Sequence, residues 1–300
     1  MNALVKDLPF EPGTLQGLSE KLILSHYQNN YGGAVKRLNA IRSRLRELPF
    51  STAPVFEING LKREELIATN SMLLHELYFD CLGAGTEPMT PAMALALQAN
   101  FGSVERWREE FMAMGKALGG GSGWVLLVFQ PREGTLVNQW AADHTHAVAG
   151  GVPVLALDMY EHSYHMDFGA AAGQYVDAFM GNINWARVYE RYQAAVHAAS
   201  SSFAAGQDEL AGAQVIDVRR LGMFEKADSI IPGARWQDPA QVSTWAGSLP
   251  GDKPVVVYCI YGHEVGRSTA MRLRAAGIDA RFLQGGIDGW KAAGRPLAPK

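Results

Sequence analysis

The feature that most constrains the fold is a change of hydrophobic pattern near residue 200. Before it, apolar residues recur at helical spacing over long segments, with three strand-like runs among them. After it, short apolar runs alternate with amphipathic helical segments. A chain of 300 residues is long enough for two domains. The pattern therefore predicts an α+β domain followed by an α/β domain with a parallel sheet.

The first half opens with a predicted helix over 17–46, for which Ser19 is placed to cap the first turn and Pro49 lies just past the end. The elements predicted to follow are helices near 61–82, 90–98 and 103–118, strands at 124–130, 135–141 and 153–160, and helices after residue 161. This order indicates helices first, then a small sheet, then helices again.

The second half contains the strand-like runs QVIDVR, PVVVYC and ARFLQGG. The helical segment GRSTAMRLRAAG lies between the last two, and Gly277 is placed to end it. Alternation of this kind predicts a parallel sheet covered on both faces. The stretch joining the halves is rich in Ala, Ser and Gly, and we predict a linker over 199–212.

Composition narrows the classes of partner. With 27 Lys and Arg against 30 Asp and Glu, the net charge is -3, so no basic excess argues for nucleic acid or an anionic membrane. The longest apolar run, WVLLVF, is too short to span a bilayer, and the first residues lack the apolar core of a signal peptide. Cys81 and Cys259 lie far apart, which makes a disulfide framework unexpected and a reducing cytoplasm the expected location.

Three histidines and one aspartate stand out as a possible metal site: His26, His75, Asp158 and His162. Three imidazoles and a carboxylate suit iron or manganese (Fe or Mn) and leave coordination positions open. Judged one by one, each histidine on an apolar helix is more often a core side chain, and Asp158 could equally cap a helix.

The segments around these residues favour a metal site over core packing or helix capping. LSEKLILSHYQNNYGGAVKRLN, HELYFDCLGAGTEP, GGGSGW, DMYEHSYHMDFG and INWARV occur in the order found in iron/manganese superoxide dismutases, and this resemblance covers roughly 8–198. It implies a dismutase domain over 1–198, made of a helical hairpin (1–86) and an α/β part with a three-stranded antiparallel sheet (87–198).

The resemblance implies that the two helical histidines, Asp158 and His162 bind one Fe or Mn ion per subunit. The substrate would then be superoxide, dismuted to dioxygen and hydrogen peroxide. Aromatic side chains would wall the site, and the residues in those positions are Phe79, Trp124 and Tyr160.

The same resemblance implies a homodimer or tetramer. Glu161 would reach the metal-binding histidine of the partner subunit. Asn30 and His165 occupy the positions of another pair that meets across the interface, where the family has a histidine and a tyrosine.

The sequence departs from the family beside the metal. Ala34 stands where the family has a tyrosine, which predicts a wider entrance, and Tyr31 is a tentative replacement for its phenol. Ser71 occupies one of the two positions that supply a glutamine to the metal-bound solvent. We expect His144 to take that role, with His146 as the competitor. These changes leave the choice between Fe and Mn open.

Cys259 lies between a buried strand and a helix. At such a turn a sulfur faces several backbone N–H groups, which stabilise a thiolate. Gly262 and Gly266 permit the tight turns that this requires. A buried cysteine that merely ends a strand is about equally common.

Segments VIDVRR, IIPGA, VVVYCIYGHEVGRSTAMRLRAAG and LQGGIDGWKAAG resemble a rhodanese domain over roughly 210–300, with domain bounds expected at 213–300. The resemblance implies that Cys259 is a sulfur-accepting nucleophile of a thiosulfate-type sulfurtransferase, that Arg267 helps to hold an anionic sulfur donor, and that Asp217 and Arg219 are structural. The sulfur donor and acceptor stay open.

The sequence bears on two other functions. Thiol phosphatases need an arginine six residues after the cysteine, and Val265 stands there, which disfavours phosphatase activity. The main alternative is a dismutase-like module that binds metal and dimerises with little activity, while the rhodanese domain is the active or redox-sensing part.

Overall fold

The structure, a computed structural model, describes residues 2–83, 88–251 and 253–300. Its first long helical segment begins at Ser19, whose hydroxyl accepts a hydrogen bond from the Leu22 N–H, as predicted. Helix α1 (Glu20–Ser25) continues into a π-helical stretch, His26–Tyr31, and then into α2 (Gly32–Glu47). The predicted helix is therefore interrupted by one wide turn, a feature frequent at functional sites.

The second helix, α3 (Val55–Asp80), packs antiparallel to α2 and completes a hairpin. Leu38, Ile41 and Ala68 form the small core between the two helices. Helix α3 begins six residues before the predicted start at 61. The prediction missed this part because Val55 and Phe56 in the first turn are exposed and do not extend the apolar face of the helix. The predicted division of this domain between residues 86 and 87 lies outside the described residues.

A three-stranded sheet forms the centre of the rest of the first domain. The remaining elements are α4 (Pro91–Phe101), α5 (Val104–Ala117), β1 (Trp124–Gln130), β2 (Thr135–Ala141), β3 (Val152–Asp158), α6 (His165–Phe168), α7 (Ala172–Gly181) and α8 (Trp185–Ser200). The sheet is antiparallel with β1 in the middle, as predicted. Strand β3 stops at Asp158 rather than at 160, because the Asp158 carboxylate accepts the Tyr160 N–H and turns the chain.

The second domain is built on a parallel sheet. Its elements are β4 (Ala204–Ala205), β5 (Gln214–Asp217), α9 (Leu221–Glu225), β6 (Ser229–Ile230), β7 (Arg235–Trp236), α10 (Val242–Trp245), β8 (Val255–Tyr258), α11 (Glu264–Ala275), β9 (Ala280–Leu283), α12 (Gly286–Ala292) and β10 (Ala298–Pro299). Strands β4, β9, β8, β5 and β7 lie side by side in that order, all parallel, which confirms the predicted architecture.

The segment predicted as a linker is part of this sheet. Within 199–212, β4 pairs with β9 at the sheet edge, and Leu210 is buried in the second domain's core. A strand of two alanines has no apolar run for a pattern to detect, so the sequence did not indicate that part of 199–212 lies in the sheet. The domain bounds themselves stay a prediction.

Helix α11 is shared between the two domains. One face packs on the parallel sheet through Ala270 and Leu273, while Met271 belongs to the core of the first domain. The turn between β1 and β2 reaches the same helix at Gly134, where an added β-carbon would lie 2.8 Å from the Ser268 carbonyl oxygen. The first domain's sheet turn and α8 therefore help to hold the second domain in place.

Among the described residues, no helix is both long enough and apolar enough to cross a membrane. Cys81 and Cys259 are both buried and carry free thiols.

Candidate metal centre and thiol loop

Four side chains from separate elements meet in the first domain. His26 begins the π-helical stretch, His75 lies near the end of α3, Asp158 ends β3, and His162 follows in a short 3-10 turn, Glu161–Ser163. Their ligand atoms all lie within 4.8 Å of one another. The structure thus brings together all four residues that the sequence singled out.

The spacing of these atoms fits a single ion. Asp158 Oδ2 lies 3.1 Å from His26 Nε2, 3.2 Å from His162 Nε2 and 3.5 Å from His75 Nε2. Ligand atoms held about 2.1 Å from one ion at angles near 90–120° lie about 3.0–3.6 Å apart. The observed distances fall in that range.

The protonation of the histidines also fits a cation. His75 Nδ1 donates to the Ser71 carbonyl oxygen across 2.6 Å, which leaves the Nε2 lone pair facing the cluster. Burial lowers the pKa of His75 to about 3 and lowers the pKa of His26, so both are neutral near pH 7. Burial opposes the charge of Asp158, but His162 and His26 hold the pKa of its carboxyl well below its usual range. The cluster therefore combines the anionic carboxylate of Asp158 with the neutral imidazoles of His26 and His75.

Aromatic rings enclose the cluster. The Tyr160 ring stacks on His162 at 5.4 Å and on His144 at 4.7 Å between ring centroids. Trp124 meets His75 edge-on, and Phe79 lies 5.0 Å from the His26 ring. Such rings fix the orientation of the imidazoles and exclude bulk water.

His144 and His146, the two candidates for the side chain beside the metal-bound solvent, lie in different surroundings. The His144 ring is half-buried and 6.2 Å from the His75 ring, and its Nδ1 accepts a hydrogen bond from the Trp124 indole N–H. His146 is exposed and stacks on Trp140. The sequence identified Trp124 only as a wall residue, and its role as a donor was missed because the two residues are 20 positions apart.

Tyr31 points elsewhere. Its hydroxyl accepts the Lys6 N–H and donates to Glu76, and its ring lies 6.3 Å from that of Phe79. This bonding does not support its tentative place beside the metal, which stays a prediction. Ala34 is buried on α2, and Ser71 contacts His75 through its carbonyl and hydroxyl.

The cluster has one open side. The His162 side chain is 25% exposed, whereas the other three ligands are almost wholly buried. Glu161 and His165 beside it are exposed, and Asn30 is half-buried on the adjoining π-helical stretch. The three residues predicted for a subunit interface thus lie on neighbouring segments next to the opening.

The second domain holds the predicted thiol loop. Cys259 directly follows β8, and the backbone N–H groups of Gly262, His263 and Gly266 act on its sulfur to lower the pKa of the thiol. Burial nevertheless raises the pKa of the Cys259 thiol, and the carboxylate of Glu264 adds to this. The sequence correctly predicted the N–H groups but not the greater effect of burial, and it gave Glu264 no role.

The loop glycines and Arg267 have different structural roles. Gly262 adopts a φ of +69°, which favours glycine. Gly266 lies within α11, and a β-carbon there would sit 3.4 Å from the Cys259 sulfur, so it supplies close approach rather than a turn. Arg267 donates to the Gly262 carbonyl and the Ser200 hydroxyl and lies over Phe282, which ties the loop to the end of α8.

Asp217 and Arg219 form a buried ion pair, to which the Tyr258 hydroxyl also donates. The pair joins the ends of β5 and β8 beneath the loop, in keeping with the predicted structural role.

A helical hairpin and a three-stranded sheet around three histidines and one aspartate define a mononuclear metalloprotein, here joined to a parallel-sheet domain with a cysteine loop. The profile "Iron/manganese superoxide dismutases, C-terminal domain" matches residues 89–191, and "Rhodanese-like domain" matches 202–293. The chain is 69% identical over 192 residues to "Superoxide dismutase [Fe]" of Cupriavidus metallidurans, covering 64% of this chain and 97% of that protein. The chain belongs to the iron/manganese superoxide dismutase family and carries a rhodanese-like domain.

More distant relatives carry both metal names. "Superoxide dismutase [Mn] 1" of Halobacterium salinarum is 33% identical over 191 residues, covering 63% of this chain and 94% of that protein. "Superoxide dismutase [Fe]" of Aquifex pyrophilus is 32% identical over 196 residues, covering 63% and 90%.

Proposed function

We propose that this protein dismutes superoxide to dioxygen and hydrogen peroxide at the cluster of His26, His75, Asp158 and His162. The observation that carries the proposal is the convergence of their ligand atoms within 4.8 Å, with the neutral imidazoles of His26 and His75 beside one carboxylate. The 69% identity to a relative named as an iron superoxide dismutase supports the reaction. No observation on the described residues favours the alternative of a metal-binding module with little activity.

The metal we propose is iron, one ion per subunit, on the strength of that same relative. When bound, iron or manganese alternates between two oxidation states and so exchanges one electron with each of two superoxide ions. The four side chains would hold this ion and leave coordination positions open. The negative carboxylate of Asp158 stabilises the cation, while Ser71 fixes the tautomer of His75.

The remaining residues position the substrate and supply protons. We assign superoxide entry to the side of His162, the one ligand with an exposed side chain. Because His144 Nδ1 accepts from Trp124, the proton of a neutral His144 ring is on Nε2, and we assign this N–H to the solvent beside the open position. Tyr160, stacked between His144 and His162, keeps both rings in place.

The subunit interface is proposed to border the open side and to leave the entrance at its edge. Exposed Glu161 would accept a hydrogen bond from His162 of the partner subunit, and Asn30 and His165 would meet across the same two-fold axis. The dismutase domain is proposed to extend to about residue 198. The two free thiols support a cytoplasmic location.

The test of dismutation uses the full chain, stripped of metal and reloaded with iron or manganese. Superoxide decay is followed by stopped flow, and bound metal is counted by mass spectrometry. We expect iron-loaded protein to consume many superoxide ions per site, and metal-free protein to consume none. Stoichiometric binding of iron without turnover would contradict the proposal.

Sulfur transfer by Cys259 is proposed as a second activity, because the cysteine directly follows β8 in a rhodanese-like domain and its sulfur packs against the backbone at Gly266. The Cys259 thiolate would attack the outer sulfur of a donor such as thiosulfate. A sulfur–sulfur bond forms on Cys259, the donor's sulfur–sulfur bond breaks, and sulfite leaves with the electron pair. Mass spectrometry after thiosulfate treatment should show one added sulfur on the Cys259 peptide and none in Cys259→Ser. Unchanged mass in the wild-type protein would exclude thiosulfate as donor.

A further inference from the structure

A cavity of about 680 Å³ lies between the two domains. One wall is α4 of the first domain. The other is formed by α9, α11 and the loops that follow β5 and β7, at the carboxyl edge of the parallel sheet. Ligands of open α/β sheets bind at this edge, and the volume suits a small organic molecule. The cavity is separate from the metal cluster, none of whose residues lines it.

Exposed apolar side chains from both domains surround the cavity. Leu95 on α4 is 42% exposed, and Leu221 and Met223 on α9 are 50% and 48% exposed. Large apolar groups left in water at one place mark binding surfaces more often than isolated ones do. A ligand with an apolar body would cover all three.

The charged residues of the lining are Arg220, Lys226 and Arg272 against Asp238 and Glu264, so its formal charge is one positive. Arg272 Nε is buried and has no hydrogen-bond partner among the described residues. Arg220 makes only long contacts, at 3.4 Å, to Glu264 and to a backbone carbonyl. Since N–H···O bonds are normally 2.7–3.2 Å long, both guanidiniums have donors to spare for an anion.

We propose that this interdomain cavity binds a small organic anion with an apolar body and one carboxylate or sulfonate group. The anionic group would bond to Arg220 and Arg272, with Lys226 at the rim, while the body rests on Leu95 and Met223. Because both domains supply contacts, binding would stabilise their arrangement. The proposal is independent of dismutation and of sulfur transfer.

The experiment titrates the full-length protein with 8-anilinonaphthalene-1-sulfonate and follows its fluorescence. N-phenyl-1-naphthylamine, which has the same aromatic body without the sulfonate, is the neutral probe. We expect one saturable sulfonate site per chain, and binding of the neutral probe at least tenfold weaker. Equal affinity for the two probes would overturn the anion specificity.

Two pairs of variants on α4 locate the site. Ala99→Trp fills the cavity and should weaken sulfonate binding at least tenfold, whereas Ala94→Trp on the same helix lies outside the lining and should not. Leu95→Glu places a repelling charge on an exposed position and serves if Ala99→Trp does not fold, with Ala94→Glu as its control. Unchanged binding in Leu95→Glu, or equal loss in both members of a pair, would overturn the site.

Discussion

The Trp124 indole N–H donates to Nδ1 of His144 across 3.0 Å. Trp124 is the first residue of β1, paired with Asp158 at the end of β3, so the strand that aligns the carboxylate also aligns the donor. One strand end thereby sets the tautomer of His144 and the position of a metal ligand together.

Replacing Trp124 by phenylalanine tests this relationship. Trp124→Phe keeps most of the apolar volume but removes the donor, so the His144 ring loses its fixed tautomer. We expect full metal content and a loss of about tenfold or more in kcat/KM, the scale on which groups behind metal sites act. Trp107→Phe is the control, since its indole N–H bonds to Asn138. A Trp124→Phe enzyme with unchanged kcat/KM would contradict the role assigned to His144.

The metal cluster should fail when one ligand is removed. In His162→Ala the bound metal should fall from about one ion per chain to below about 0.1. A ligand at 1,000 times its Kd stabilises a protein by about 4 kcal/mol, so chelation should lower the Tm of the wild-type protein and leave that of His162→Ala unchanged. His146→Ala, an exposed histidine nearby, should behave as wild type. A His162→Ala protein that retains its metal would contradict the assignment of His162 as a ligand.

Loss of the Glu161 carboxylate should weaken the dimer. Light scattering at micromolar concentration should give twice the chain mass or more for the wild type and a shift towards the monomer for Glu161→Ala. Glu190→Ala removes another exposed carboxylate, on α8, and should leave the mass unchanged. A wild-type monomer at this concentration would count against the proposed interface.

The pH dependence of Cys259 alkylation follows from its surroundings. Burial and Glu264 raise the thiol pKa above the usual value of about 9, against the backbone N–H groups and Arg267, which favour the thiolate. Iodoacetamide should therefore react slowly near pH 7 and faster as the pH rises past 9. Glu264→Gln removes one charge that opposes the thiolate, so its rate profile should move to lower pH.

Peptide mass spectrometry separates the two thiols in that experiment. Burial raises the pKa of Cys81 to about 12, so labelling below pH 10 should fall on Cys259 and disappear in Cys259→Ser. A Glu264→Gln profile displaced to higher pH would show that the carboxylate does not oppose the thiolate.

Gly134 should be needed for domain docking. It has a φ of +65°, and an added β-carbon would lie 2.8 Å from the Ser268 carbonyl oxygen and 2.9 Å from Met271 Cβ. Gly134→Val should therefore speed proteolysis between the domains and lower the Tm. Gly150→Val has a similar φ, +74°, in open space, and should cost only the backbone strain of about 1–2 kcal/mol. Equal effects of the two substitutions would exclude a docking role.

Much of the fold could be predicted from local patterns. The apolar run WVLLVF predicted the position of β1. The apolar run before Cys259 predicted β8 and the loop that follows it. The four candidate metal ligands were assigned from segments that resemble the dismutase family, and all four side chains converge in the structure. Local sequence sufficed in these cases because strand burial and loop geometry depend on neighbouring residues.

Relations between distant residues could not be predicted in this way. No periodicity links Arg272 to Asn100 or Trp124 to His144, and the two alanines of β4 carry no strand pattern of their own. The thiol pKa also escaped prediction, because local N–H donors can be read from a turn whereas burial depends on how the whole domain packs.

Because of the π-helical stretch His26–Tyr31, the number of residues in this part of the first helix is more tightly constrained than their type. A wide turn holds one residue more than an α-turn, and each residue of a helix advances about 100°. Deleting a single residue between 27 and 31 would let the wide turn close to a regular α-turn, but inserting a further residue would exceed what one wide turn absorbs and would rotate His26 by about 100° relative to the face of α2 that packs on α3. Insertions here should therefore be far rarer among functional variants than changes of side chain.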